Sequence, residues 1–277
     1  MNRAVSRLLV LCLGILIGLG AFGAWRLADA SCGPLARTPC VRVLFLGNSY
    51  TYANDLPAVF RELARGGGQN VETGMVAGGG ETLADHAASP DSTAAIRGSG
   101  WQFVVVQEQS QVPSLESARQ SQMYPATRSL VNIIRTAGAT PILFQTWAHR
   151  DGWADYGLDY GAMQAAIDEG YATIGRELRV AVAPAGQAWQ ATLRQDPMIA
   201  LWQEDGSHPS MAGTYLAACV LYARIFDASP VGIPMTEGLA PDVAGRLQVI
   251  ANQRCARRSD PRLPDLLAHA SSTPRRG

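Results

Sequence analysis

The chain has 277 residues, 47% of them apolar and 17% charged, with 23 basic side chains balancing 23 acidic ones. That length suits one large domain or two small ones, and zero net charge argues against a nucleic-acid partner, which needs a basic face to displace counterions. Every basic residue is Arg, so Walker-A phosphate binding, pyridoxal Schiff bases and Ser-Lys dyads are excluded for want of an amine.

At the N-terminus, Arg3 and Arg7 precede an apolar run from Leu8 to Ala24, and Ala28-Asp29-Ala30 places small residues at the positions a signal peptidase reads. Residues 1–30 are therefore expected to be a secretory signal, with an uncleaved membrane anchor as the alternative. Either way the remainder would be periplasmic or extracellular. In that oxidising setting Cys32, Cys40, Cys219 and Cys255 are expected to pair. Cys32–Cys40 and Cys219–Cys255 are the favoured bonds; the alternative for Cys219 is a buried thiol on an apolar helix face.

Short β-branched runs then alternate with helical patterns. Val41–Leu46, Val71–Val76, Phe103–Val106, Pro141–Phe144 and Val180–Val182 read as strands covered on both faces. Helices are predicted over Leu56–Arg65, Ser117–Thr136, Tyr160–Leu178, Met211–Phe226 and Asp242–Cys255, with a further one after the Gly78-Gly79-Gly80 loop. This alternation predicts an α/β domain over residues 31–256, a three-layer α/β/α sandwich with a mainly five-stranded parallel central sheet. Residues 257–277, rich in Pro, Ser and Arg, read as a disordered tail.

In such a sheet the chemistry gathers at the carboxyl ends of the strands. Strand one ends in Gly47-Asn48-Ser49-Tyr50-Thr51, where a Ser at the turn is either a nucleophile beside free backbone N–H groups or a simple helix cap. Asp205-Gly206-Ser207-His208-Pro209 precedes a predicted helix; its spacing lets the carboxylate fold back onto Nδ1 and leave Nε2 facing outward as a base. Alone, the same stretch is an ordinary exposed turn. The other imidazoles are fewer candidates: His86 reads as a packing or surface residue, His149 sits on the active edge after strand four, and His269 lies in the tail. No HExxH or clustered Cys/His pattern is present, so neither a metal nor an organic cofactor is expected.

Together the two blocks resemble the SGNH (GDSL-type) serine hydrolase superfamily, most closely uncharacterised bacterial members whose first block reads Gly-Asn-Ser, then Tyr or Phe, then Thr. The resemblance spans about residues 41 to 226. It implies a flavodoxin-like fold and a serine esterase with Ser49, Asp205 and His208 as catalytic residues. It also implies an oxyanion hole from the N–H groups of Ser49 and Gly80, with Gly79 as the near alternative to Gly80, and a third donor after strand three. Here Gln107-Glu108-Gln109-Ser110 replaces the family's Gly-x-Asn-Asp, so Gln109, with Gln107 as the alternative, takes the role of the family's Asn. Asn48, Trp147, His149 and Trp153 are candidate substrate contacts, the aromatics serving either as a platform for sugar rings or acyl chains or as core packing. The expected substrate is an O-acetyl ester on carbohydrate or cell-surface polysaccharide. A small-acyl lipid or aryl esterase, an acyltransferase and a silent glycan-binding domain are the alternatives. Contact with a membrane is expected only through the N-terminal segment.

Overall fold

The computed structural model describes residue 32, residues 39–98 and residues 100–255; the predicted signal and tail lie outside the described residues. Five strands form one parallel sheet in the order β2-β1-β3-β4-β5: β1 Cys40–Gly47, β2 Asn70–Ala77, β3 Phe103–Val106, β4 Thr140–Gln145 and β5 Ala181–Pro184. These match the five predicted strands; the three central ones are buried from Val43, Phe103 and Pro141 onward, whereas β2, at the sheet edge and not covered on both faces as expected, buries only Val71. The register pairs Gly47 with Ala77, Leu46 with Val106 and Val106 with Leu143. The strands thus end along one edge, and the loops that follow them converge there.

Helices close both faces. On one side lie α2 (Leu56–Gly66), α7 (Ala185–Gln195), α8 (Met211–Phe226) and α9 (Pro241–Cys255). On the other lie α3 (Leu83–Ala88), α4 (Pro90–Gly98), α5 (Tyr124–Thr136) and α6 (Tyr160–Leu178). A single short turn, α1 (Ser49–Tyr52), leads from β1 towards α2. Asp159 caps α6 through the N–H of Ala162 and Ser210 caps α8 through that of Gly213, satisfying donors that an open first turn leaves free. Helix α8 is apolar almost all round, from Leu216 to Phe226, and is accordingly packed between the sheet and its neighbours.

The cysteines divide. Cys32 is joined in a disulfide to Cys40, the first residue of β1. The expected Cys219–Cys255 bond is not formed, and both are thiols. Cys219 is sealed inside α8, where burial pushes its ionisation far above the usual thiol range, and the Cys255 thiol donates to the Val220 carbonyl at 3.5 Å. Cys219 is thus the buried thiol of the alternative reading.

Candidate functional site

Gly47, the last residue of β1, leaves no room for a side chain. A Cβ there would sit 2.3 Å from Thr51 Oγ1 and 2.5 Å from Gln107 Oε1. The chain then turns at Asn48, whose side-chain oxygen accepts from the Tyr50 N–H and from Gln107 Nε2, both at 3.0 Å. Asn48 Nδ2 donates to the Glu81 carbonyl, and its own carbonyl accepts from Thr51 and Tyr52. Expected at the substrate, Asn48 is instead only 2% exposed and builds the scaffold of the turn. Around it the N–H groups of Asn48, Tyr50, Thr51 and Tyr52 all have partners. That of Ser49 has none, as suits a donor held open for an anion.

Asp205 and His208 sit in a hairpin-like loop closed by Gln203 N–H to His208 carbonyl at 2.8 Å and Ser210 N–H to Leu201 carbonyl at 2.9 Å. Gly206 makes the turn with φ +70°, a conformation that costs side-chain-bearing residues. One oxygen of Asp205 accepts the N–H groups of Ser207 (2.9 Å) and His208 (3.0 Å), and the other meets His208 Nδ1 at 2.5 Å. Burial pushes the Asp205 carboxyl up, but these hydrogen bonds and the imidazole outweigh it, leaving the group below its usual range. His208 Nε2 lies 2.9 Å from Ser49 Oγ. The three predicted residues thus form a continuous Ser–His–Asp line.

The glycine loop is a turn in which Glu81 N–H donates to the Gly78 carbonyl and the Gly78 N–H donates to Glu81 Oε2 at 2.6 Å. The N–H groups of Gly79 and Gly80 have no protein partner, and Gly80 holds φ +73°. After β3, Gln107 is fully buried and all four of its hydrogen-bonding sites are occupied, by Asn48, Thr51 and the Glu108 carbonyl. This rules out Gln107 as the alternative third donor. Gln109 turns its side-chain carbonyl onto the N–H groups of Gln111 (2.7 Å) and Val112 (3.2 Å), while its amide nitrogen meets Gln111 Oε1 only at 3.4 Å. One amide hydrogen of Gln109 stays available.

The aromatics separate by burial. Trp147, expected as a substrate platform, is fully buried, stacked on Trp189 with centroids 3.8 Å apart, and donates Nε1–H to the Ser207 carbonyl at 3.1 Å. Its role is to support the Asp205–His208 loop, because a ring enclosed on both faces cannot stack on a substrate. Trp153 is half-buried and pairs with exposed Tyr156 at 4.1 Å. His149 Nε2 lies 3.1 Å from Ser110 Oγ; burial lowers its pKa, which also feels the charges of Asp205 and His208. His86 is buried between the Gly47 carbonyl (2.8 Å) and Ser92 Oγ (2.9 Å), a packing role.

Sequence reasoning missed several partners of the site. Asn54 Nδ2 bridges the Pro209 carbonyl and Thr214 Oγ1, both at 2.9 Å, tying the turn after Ser49 to the His208 loop. Buried Glu108 accepts the N–H groups of Leu83 (3.0 Å) and Gln109 (2.7 Å) on one oxygen, linking the segments after β2 and β3. Neither residue has a periodic or spacing signal; only the fold brings them to their partners. Among the described residues, the His, Cys, Asp or Glu side chains close enough to share a metal ion are Cys32, Cys40 and Glu72. The two sulfurs of that group are tied up in the disulfide.

No family model matches the chain, and no curated protein matches it. Among solved structures, a protein from Slackia heliotrinireducens described as an SGNH hydrolase is 30% identical; the match covers 67% of this chain and 98% of that one, with a TM-score of 0.58. A DUF4886 family protein from Bacteroides uniformis is 20% identical, with 77% and 94% covered and a TM-score of 0.66. An acetyl xylan esterase shares the fold at 14% identity, 66% and 98% coverage and a TM-score of 0.53.

Proposed function

The chain belongs to the SGNH hydrolases, and within that family we propose that it is an exported serine esterase acting through Ser49, His208 and Asp205. The observation that carries the reading is the 2.9 Å contact of His208 Nε2 with Ser49 Oγ, with the same imidazole bound through Nδ1 to Asp205. In the proposed reaction His208 takes the Ser49 proton as Oγ attacks the ester carbonyl. The imidazolium that forms is stabilised by Asp205 and then protonates the departing alcohol. The oxyanion is received by the unpartnered N–H groups of Ser49 and Gly80 and by the Gln109 amide, whose side-chain carbonyl is pinned by Gln111 and Val112. Water, activated by the same His208, then releases the acyl group.

The favoured substrate is an O-acetyl ester on carbohydrate or cell-surface polysaccharide. The half-exposed Trp153–Tyr156 pair supports it as a face for sugar rings, and an acetyl xylan esterase has the same fold. Export is supported by the leader-like N-terminus and by the Cys32–Cys40 disulfide. No helix among the described residues is long and apolar enough to cross a membrane.

The test is labelling of the chain from residue 31 onward with a fluorophosphonate probe, beside its Ser49→Ala variant. Labelling of the parent alone, with unchanged melting of the variant, is the expected result; equal labelling of both removes Ser49 as nucleophile. Acetylated xylooligosaccharides against short aryl esters then separate the substrate classes, and an added sugar acceptor separates hydrolysis from acyl transfer.

A further inference from the structure

Tyr50 follows the candidate nucleophile directly, yet its side chain turns inward and is only 3% exposed. Its ring lies parallel to that of Trp147, with centroids 4.8 Å apart and 5° between planes, and meets the His208 imidazole edge-on at 5.7 Å. The hydroxyl lies 2.7 Å from Ser207 Oγ. Ser207 is therefore gripped twice, at its hydroxyl by Tyr50 and at its carbonyl by Trp147 Nε1. It is the residue immediately before His208.

Packing alone does not call for this hydroxyl. A phenylalanine would stack on Trp147 equally well, whereas a buried phenol must find partners or carry the cost of desolvation. Burial pushes the Tyr50 phenol up to about 12, so it remains a neutral donor and acceptor at any ordinary working pH. Its bond to Ser207 Oγ ties the nucleophile turn to the Asp205–His208 loop. We propose that Tyr50 is a positioning residue that holds the His208 imidazole in register with Ser49 through Ser207. The proposal rests on the Ser49–His208–Asp205 reading.

The experiment measures the saturating rate and the half-saturating concentration of fluorophosphonate labelling for the parent, Tyr50→Phe, Ser207→Ala and the double variant, with melting temperatures alongside. Each single change is expected to slow the saturating rate about tenfold, the scale of one hydrogen bond to a loop that must stay in line, with the half-saturating concentration within about twofold. The double variant is expected to be no slower than either single one, because both remove the same bond. A parent-like saturating rate for Tyr50→Phe overturns the proposal, as do losses that multiply in the double variant. Ser207→Ala, which leaves both stacked rings of Tyr50 and Trp147 in place, supplies the answer if Tyr50→Phe does not fold. Ser49→Ala is run in parallel: labelling that persists there removes the nucleophile and this proposal with it. Loss of labelling there beside a parent-like Tyr50→Phe removes this proposal alone.

Discussion

Asp205 reaches His208 within one short loop, so exchanging its carboxylate for an amide disturbs little besides the imidazole. Asp205→Asn keeps an oxygen for the N–H groups of Ser207 and His208 but loses the anion beside Nδ1. Turnover is expected to fall by roughly 10³–10⁴-fold with little change in melting, as for a misoriented or wrongly protonated imidazole; steady-state kinetics on the identified ester check it. Glu108 offers a different residue-level prediction. Burial pushes its carboxyl up to about 7, so the folded chain keeps a proton that an unfolded glutamate gives up near pH 4 to 5. Stability contributed by this group is therefore greatest below that range and declines as pH rises to about 7, by ~3 kcal/mol at most. Asp168, raised to about 6 by burial, declines in the same direction. Glu108→Gln should flatten but not abolish the fall of melting temperature between pH 5 and 8; an unchanged profile would sink the assignment. At this scale the Asp205–His208 pairing was legible from its spacing, and Ser49 only from the resemblance of its block; the structure brings the three side chains into one line. Asn48 and Trp147 misled because a polar or aromatic residue beside a site looks the same whether it faces substrate or supports the loop behind it.

At the scale of elements, α3 is anchored by a capping box in which Thr82 accepts the Asp85 N–H and Asp85 accepts the Thr82 N–H. The Thr82 N–H and hydroxyl hold the exposed Asp85 carboxyl below its usual range. Asp85→Asn should therefore cost about 0.5–1 kcal/mol, a few degrees of melting temperature, while the labelling rate stays at the parent value. A large loss of rate would instead mean that α3 positions the glycine loop. The central strands and most of the long helices were readable because their apolar runs or stripes are buried, whereas the edge strand β2 buries only Val71 and α8 is apolar almost all round. Helix α4 escaped because it buries only Ser92 and Ile96. Helix α7 escaped because its inward face is mostly Ala and Gly, with Trp189 alone as a large side chain. The stretch predicted as one helix over Ser117–Thr136 contains a wide turn at Arg119–Met123, just ahead of Pro125, which has no N–H to continue the regular ladder.

For the whole molecule, the Cys32–Cys40 bond ties Cys32 to the first residue of β1 across a sequence separation of 8. A loop of that size is worth ~2–3 kcal/mol, so reduction should lower the melting temperature by several degrees, whereas identical curves for oxidised and reduced protein would show the bond to be energetically idle. Layering and sheet order follow from alternation and handedness, which local patterns carry; the fate of Cys219 depends on how α8 and α9 pack, which they do not.

The hairpin that joins Asp205 to His208 has one more consequence. Half of the proposed relay is local and can close as soon as its loop does, but Ser49 lies 159 positions away from His208. Their meeting must wait until β1 is flanked on both sides and α8 has docked, the slow, long-range part of building any such topology. The proposed reactivity of Ser49 is thus a clock for the end of folding: a chain that has recovered its helices but not its sheet order would be complete to the eye of circular dichroism and chemically mute.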